Sequence, residues 1–402
     1  MVVHELHDST KGSYTMTHAA ELTPSSLMVS LEQLASAKTE QECASALVCA
    51  AALIQESVLA GQSPKSFQEA LESCPEDLGA QLGAVMDRAA NFHLLEDGGT
   101  LGLWMLPVVV SAGKALPSTI PLETNTLNAI KVSGSLLQQL GLSAMKTGGN
   151  RMGWTYVLPT LYSEEQIRNT DLGELIRLPH EAREVVRGER KAISFNAGDD
   201  LGELEPGANL YFLPFIAFSP EGLPPVMPLG SAKTMSRMGQ WVTATLQPEL
   251  NDAFVVHVAH LPQPFSLALR VGERLRMDVR LRELMLRVCN DSGVEPNGLA
   301  ALVAPYATRQ SDGTFMVGVS LVSRLTKNVV ATLSLPVESD DGQEEVALAS
   351  HILKDMGMDC IQDYHQPIHT IACQHCGNFQ FALPSADVAF KGLTEQNNKH
   401  VH

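Results

Sequence analysis

Apolar residues recur three and four apart from Leu27 onward: Leu27, Leu31, Leu34 and Ala35, then Cys43, Leu47, Ala50 and Ala51, then runs from Phe67 to Leu71 and Leu78 to Leu94. That is the period of one face of an α-helix. Pro24, Pro64 and Pro75 punctuate the pattern where a first helical turn needs no N–H donor. Residues 1–25 are polar and predict a loose leader to a helical bundle.

After Glu96-Asp97-Gly98-Gly99 the period changes. LGLWMLPVVV (101–110), GWTYVLPTLY (153–162) and LYFLPFIAF (210–218) are continuous apolar runs broken by Leu-Pro, and FVVHVAHLP ends on Pro262. Such runs predict buried strands. Proline cannot donate to a ladder, which predicts a strand end, an edge or a bulge at each. Nine Leu-Pro pairs occur in the chain, so chance accounts for their spacing more simply than an internal repeat. Helical patterns follow the runs at 122–140, 163–188, 232–246 and 269–289. Between 299 and 336, LAALVAPY, TFMVGVSLV and NVVATLSLPV are β-rich and joined by short turns, the pattern of an antiparallel meander. The acidic turn ESDDGQEE then leads into a helical run, VALASHILKDMG.

These elements predict an α+β (mixed α/β) fold in three parts. Residues 1–98 form a helical domain with a loose amino terminus. Residues 99–337 form a mixed α/β body, with strand-helix units and the meander around a central mixed sheet. Residues 338–402 form a helix, a Cys/His zinc-binding segment and a flexible tail. A length of 402 residues fits this division, since single cores stop growing at ~250–300 residues.

Charge narrows the functional classes. Residues 1–130 carry 5 Lys/Arg against 15 Asp/Glu, and residues 337–402 carry 3 against 10, within a chain of net charge -17. Such a field repels polyphosphate and anionic lipid, so a nucleic-acid partner is disfavoured and a protein partner is expected. The start MVVHELHDST lacks the basic and apolar regions of a secretory leader, and apolar stretches such as LVCAAALI fall short of the ~18–20 residues of a membrane span. Seven cysteines, an odd number, read as reduced thiols and metal ligands. The expectation is a soluble cytoplasmic protein without a membrane anchor.

Candidate chemistry concentrates in DCIQDYHQPIHTIACQHCG, where Cys360, His365, His369, Cys373, His375 and Cys376 fall together. Zinc takes thiolate and imidazole in a tetrahedron, and two intervening residues let Cys373 and Cys376 curl around one ion. His369 and His365 complete the shell, with Cys360 in reserve. Four ligands in one short segment predict a closed, structural site that lets a carboxyl-terminal segment fold without a large core. A metal-assisted hydrolase using Asp359 or Asp363 beside the metal is the catalytic alternative.

Six arginines, Arg270, Arg274, Arg276, Arg280, Arg282 and Arg287, lie on one predicted helix against Glu273, Asp278 and Glu283. Nucleic-acid binding through this helix is a second alternative. Internal pairing with the protein's own carboxylates is the expected use. A further basic run, Arg177 to Lys191, is interleaved with glutamates. His257 and His260, three apart on a strand, face opposite sides and share no site. No GxSxG, HExxH or P-loop spacing is present, and no catalytic residue is assigned. The reading is an interaction or regulatory protein with a zinc-clipped carboxyl terminus.

Overall fold

Two 13-residue strands, β2 (Thr100–Ala112) and β8 (Gly207–Ser219), pair antiparallel along their full length and form the spine of a seven-stranded sheet. This computed structural model describes residues 22–62, 69, 71–122, 154–193, 195–199, 202–219, 239–240, 242–244, 246–247, 254–307, 315–337, 341–368, 370–372 and 379–381. Outside β2 lie β1 (Phe92–Leu94), against Thr100 to Gly102, and β9 (Phe254–Val258), against Val108 to Ala112. Outside β8 lie β5 (Trp154–Val157) and β6 (Thr160–Ser163), and β6 carries β4 (Thr119–Pro121). The short pair β3 (Leu116–Pro117) and β7 (Glu203–Leu204) stands apart.

Pro159, between β5 and β6, and Pro262, beyond β9, lie outside strands as expected, but two prolines depart from expectation. Pro107 and Pro214 sit inside the two central strands, opposite Phe212 and Met105. Each falls at a seam in the neighbouring strands. β1 has ended and β9 has not begun beside Pro107; β5 and β6 are separated by Leu158-Pro159 beside Pro214. The missing N–H therefore has no ladder partner to disappoint, while each proline carbonyl still accepts, from Ala259 at 3.0 Å and from Leu158 at 3.1 Å.

Both faces of this sheet are covered, which is why β2 and β8 are apolar without alternation. Leu106, Val108, Val110, Tyr211, Leu213 and Phe215 pack on one side with Val242 and Leu246. Leu103, Met105, Val109, Leu210 and Phe212 pack on the other, with Leu175, Leu178 and Ala268. Fully buried aromatic and aliphatic side chains contribute about 1.5–3 kcal/mol each.

The helices are α1 (Pro24–Ser36), α2 (Glu40–Leu59), α3 (Gly79–Asn91), α4 (Glu164–Arg168), α5 (Leu172–Arg187), α6 (Phe265–Ser292) and α7 (Gln343–Asp355). Thr23 and Thr39 each form a capping box at the start of α1 and α2. Leu27, Leu31 and Leu34 are buried as the period requires, with Ala50, Ile54 and Val58 facing them, but Cys43 is exposed. α2 has the length and hydropathy of a membrane span; its inner face belongs to this helical core. That core closes on Ile176 of α5, and the expected boundary at 98/99 falls in the turn between the paired strands β1 and β2. Asn91 and Asp87 of α3 accept hydrogen bonds from the first N–H groups of α6, Phe265 at 2.7 Å and Ser266 at 3.3 Å.

A second sheet has the order β12-β11-β10-β13, from β10 (Leu299–Ala307), β11 (Phe315–Ser323), β12 (Val329–Pro336) and β13 (Ile361–Asp363). The first three are the predicted meander, and β13 joins β10 in parallel. α6 spans both sheets. Its first half, with Ala268, packs on β2 and β8, and its second half, Met277, Leu281, Met285 and Val288, packs on the second sheet beside α7. α7, across the expected boundary at 337/338, thus shares this core. Last comes a hairpin of β14 (Thr370–Ala372) and β15 (Phe379–Phe381). The fold is mixed α+β, with antiparallel and mixed sheets.

Candidate functional site

α6 is rich in Leu, Met, Arg and Glu, all good helix formers, and ends on Gly293 at φ 65°. Its apolar stripe faces the sheets, so its arginines emerge along the flanks. Arg274 meets Glu344 of α7 at 2.9 Å, an exposed pair contributing ~0.2–1 kcal/mol. Arg282 meets Asp278 at 2.9 Å on its own helix. Arg276 is the most engaged, with Glu164 at 2.7 Å and Glu273 at 2.5 Å. Arg270, Arg280 and Arg287 form no hydrogen bond or ion pair with the described residues. Internal pairing therefore accounts for three of the six.

Where α6 meets the last residues of β12 and the first turn of α7 there is a cavity of about 150 Å³, lined by Arg270, Arg274, Arg276 and Arg280 together with Leu335 and Glu345. Arg280 is half-buried there. Burial and the neighbouring Arg276 lower its pKa, and Glu273 and Glu283 partly offset this.

Glu273 also lines the cavity and links it to α4. Ser163 caps α4 through the amide of Gln166, which sets Glu164 in the first turn, where the helix dipole favours a carboxylate. Glu164 reaches Arg168 at 2.6 Å, and the two glutamates hydrogen-bond each other. Burial, then that hydrogen bond, push Glu273 up to about 7 against the pull of Arg276. For Glu164 burial acts upward too, but the hydrogen bond from Glu273 and the charges of Arg276 and Arg168 hold it below the usual range. The two carboxyls are thus pushed apart, Glu273 upward and Glu164 downward. A split titration of this kind is what acid-base catalysis by two carboxyls uses; here both carboxyls are clamped by Arg276, which ties α4 to α6.

A second cluster is the buried pair His93 and His180, with Nδ1 of the first 3.1 Å from Nε2 of the second and their rings edge-to-face. His93 lies on β1, pressed between the helical layer and α5. Burial, then the charge of His180, lower its pKa to about 3; burial and Arg183 lower that of His180 to about 4. Neither cluster is visible in motif spacing, because the partners are far apart: 87 residues for the histidines and 105 for Arg168 and Glu273. His257 and His260, singled out from sequence, are half-buried and exposed on and just after β9.

Of the expected zinc ligands, Cys373, Cys376 and His369, like the neighbouring His375, lie outside the described residues. Cys360 is partly buried just before β13, its thiol raised chiefly by burial, and its carbonyl accepts from Ala301 at 2.9 Å. His365 is exposed just beyond β13. Among the described residues no three His, Cys, Asp or Glu side chains come together as a metal site. Ala372 of β14 pairs with Phe379 of β15, and both cysteines lie between these two strands in sequence. Asp359 is held by Arg324 at 2.9 Å and Asp363 is exposed. No family model, no curated protein and no solved structure matches the chain.

Proposed function

We propose that the chain is an interaction protein that recognises an anionic side chain of a protein partner in the arginine-lined cavity of α6. The observation that carries this reading is Arg280, half-buried at a cavity wall and without an ion-pair partner among the described residues. An unpaired, partly desolvated guanidinium is costly, and a carboxylate from outside answers it with a charge-assisted, bidentate hydrogen bond. Size decides between a small-molecule ligand and a partner's side chain. Small-molecule and cofactor sites are ~300–1,000 Å³, whereas about 150 Å³ accommodates a carboxylate and its stem.

A hexaglutamate peptide titrated calorimetrically tests this. Arg280→Met is expected to weaken binding about tenfold, which corresponds to ~1.4 kcal/mol. Arg282→Met, which removes the same charge from the opposite flank, is expected to change it less than twofold. Equal losses would reduce the effect to bulk charge. Duplex DNA at ~0.15 M salt is expected to stay unbound, the acidic field outweighing one flank of arginines.

We further propose that zinc clips the carboxyl-terminal hairpin through Cys373, Cys376, His369 and His365, with Cys360 in reserve. The support is the Cys-x-x-Cys spacing and its place in sequence between β14 and β15, two strands that pair with each other. Such a metal contributes directly to folding of its hairpin. Metal analysis is expected to give about one zinc per chain, lost with Cys373→Ser or Cys376→Ser, and accompanied by faster amide exchange in 370–381. Free titration of both thiols in the purified protein would exclude it.

A further inference from the structure

Among the described residues the second sheet ends at β12. β12 pairs with β11 on one side, and no described strand pairs with its other side. Edge strands are usually blunted by charge, and this one, VVATLSLP, has none. A bulge at Val330 disturbs its start, and Pro336 blocks its end. From Ala331 to Leu335 the ladder with β11 is regular, so the alternate backbone groups that face away from β11 have no strand partner among the described residues. Val329 and Val330 beside it are 49% and 40% exposed.

Over that edge stand two arginines, with Glu283 between them on the same flank of α6. α6 lies above β12, whereas α7 lies above β10 and β13. The flank of α6 that meets α7 carries Arg274, paired with Glu344, and Arg282, whose charge is reinforced by Asp355. Two residues along an α-helix turn about 200°, so Arg280 lies on the opposite flank from Arg282 and overhangs the open side of β12. Arg287, two turns further on, shares that flank. Neither has an ion-pair partner among the described residues.

We infer that β12 accepts an extended acidic segment of a partner protein as an added strand, its carboxylates rising to Arg280 and Arg287. This rests on the anion-binding reading above and specifies the ligand's conformation and where it lies. Backbone pairing to Ala331–Leu335 supplies affinity, and alternate side chains of the added strand meet the arginines, the usual division of labour in strand addition. A second copy of this chain is a poorer occupant. Its β12 is uncharged and leaves both arginines unanswered, and two chains of net charge -17 repel.

The test uses the full chain and an eight-residue peptide of alternating valine and glutamate, followed by fluorescence anisotropy and by amide exchange across β12. Binding is expected, with Arg280→Met and the exposed Arg287→Met each weakening it about fivefold to tenfold. N-methylation of alternate peptide amides is expected to weaken it at least tenfold, and exchange of Ala331–Leu335 to slow on saturation. Undiminished binding of the N-methylated peptide with unchanged exchange would overturn strand addition and leave the anion reading standing. Failure of both this peptide and hexaglutamate to bind would overturn both. Protection of β12 without peptide, accompanied by concentration-dependent dimerisation, would assign the edge to a second copy and overturn the acidic occupant.

Discussion

At pH 4.5 the protein is expected to be about 3 kcal/mol less stable than at pH 7.5 on account of His93 alone. Its folded pKa of about 3 lies below the ordinary 6.5. As pH falls through 6.5 the unfolded chain takes up a proton that the folded chain refuses, so the stabilisation is complete above that value and drains away toward pH 3. Two pH units below 6.5 at ~1.4 kcal/mol each set the size. His180 titrates in the same environment and acts in the same direction, but the two are coupled and do not simply add. Urea unfolding of the wild type and of His93→Gln at both pH values isolates the effect, because carboxylates lost to acid are common to both proteins. The variant is expected to lose roughly 2–3 kcal/mol less over that interval. An identical loss in both would show that the neutral, buried imidazole is not the acid-sensitive element.

Gly272→Val is expected to cost 3 kcal/mol or more, and Gly272→Ala about 1–3 kcal/mol, although alanine gains ~1 kcal/mol in helix propensity. A Cβ at Gly272 would meet the two Leu210 methyl carbons at 2.9 and 3.0 Å and the Phe212 ring at 3.1 Å. Both neighbours are buried in β8 and hemmed in on the first sheet, so neither has room to withdraw. Gly83, in the middle of α3, provides the control, since a Cβ there meets nothing within 4 Å. Gly83→Ala is expected to stabilise by ~0.5–1 kcal/mol. Opposite signs for the two alanine variants in chemical denaturation would locate the close approach of α6 to the sheet; a stabilised Gly272→Ala would remove it.

The elements that were legible in the chain are those encoded by short-range spacing. Leu27, Leu31 and Leu34 mark α1, the Met277 to Val288 stripe marks α6, and the three runs after Leu299 mark the meander, because each period spans one element. Pairings between distant segments were not legible. Nothing local tells β2 to choose β8, and the prolines that argue for edges are accommodated by seams in strands elsewhere in the sequence. The arginines of α6 were visible as a group, but which of them remain unpaired depends on Glu164 and Glu344, set by other elements. The histidine pair carried no signal, since His93 and His180 become neighbours only when β1 and α5 meet. The cysteine spacing was legible, and the hairpin around it was not, since three-residue strands have too short a pattern to read.

α6 also imposes an order on biosynthesis. Every strand of the first sheet precedes it and every strand of the second follows it. A nascent chain that has emerged as far as Ser292 has all it needs to close the first sheet under the leading half of a helix about 42 Å long. The trailing half is then a rigid rod, with Met277, Leu281, Met285 and Val288 bare and waiting for strands that have still to emerge. That exposed stripe is a template for the second sheet and, until those strands emerge, a sticky surface of the sort chaperones bind.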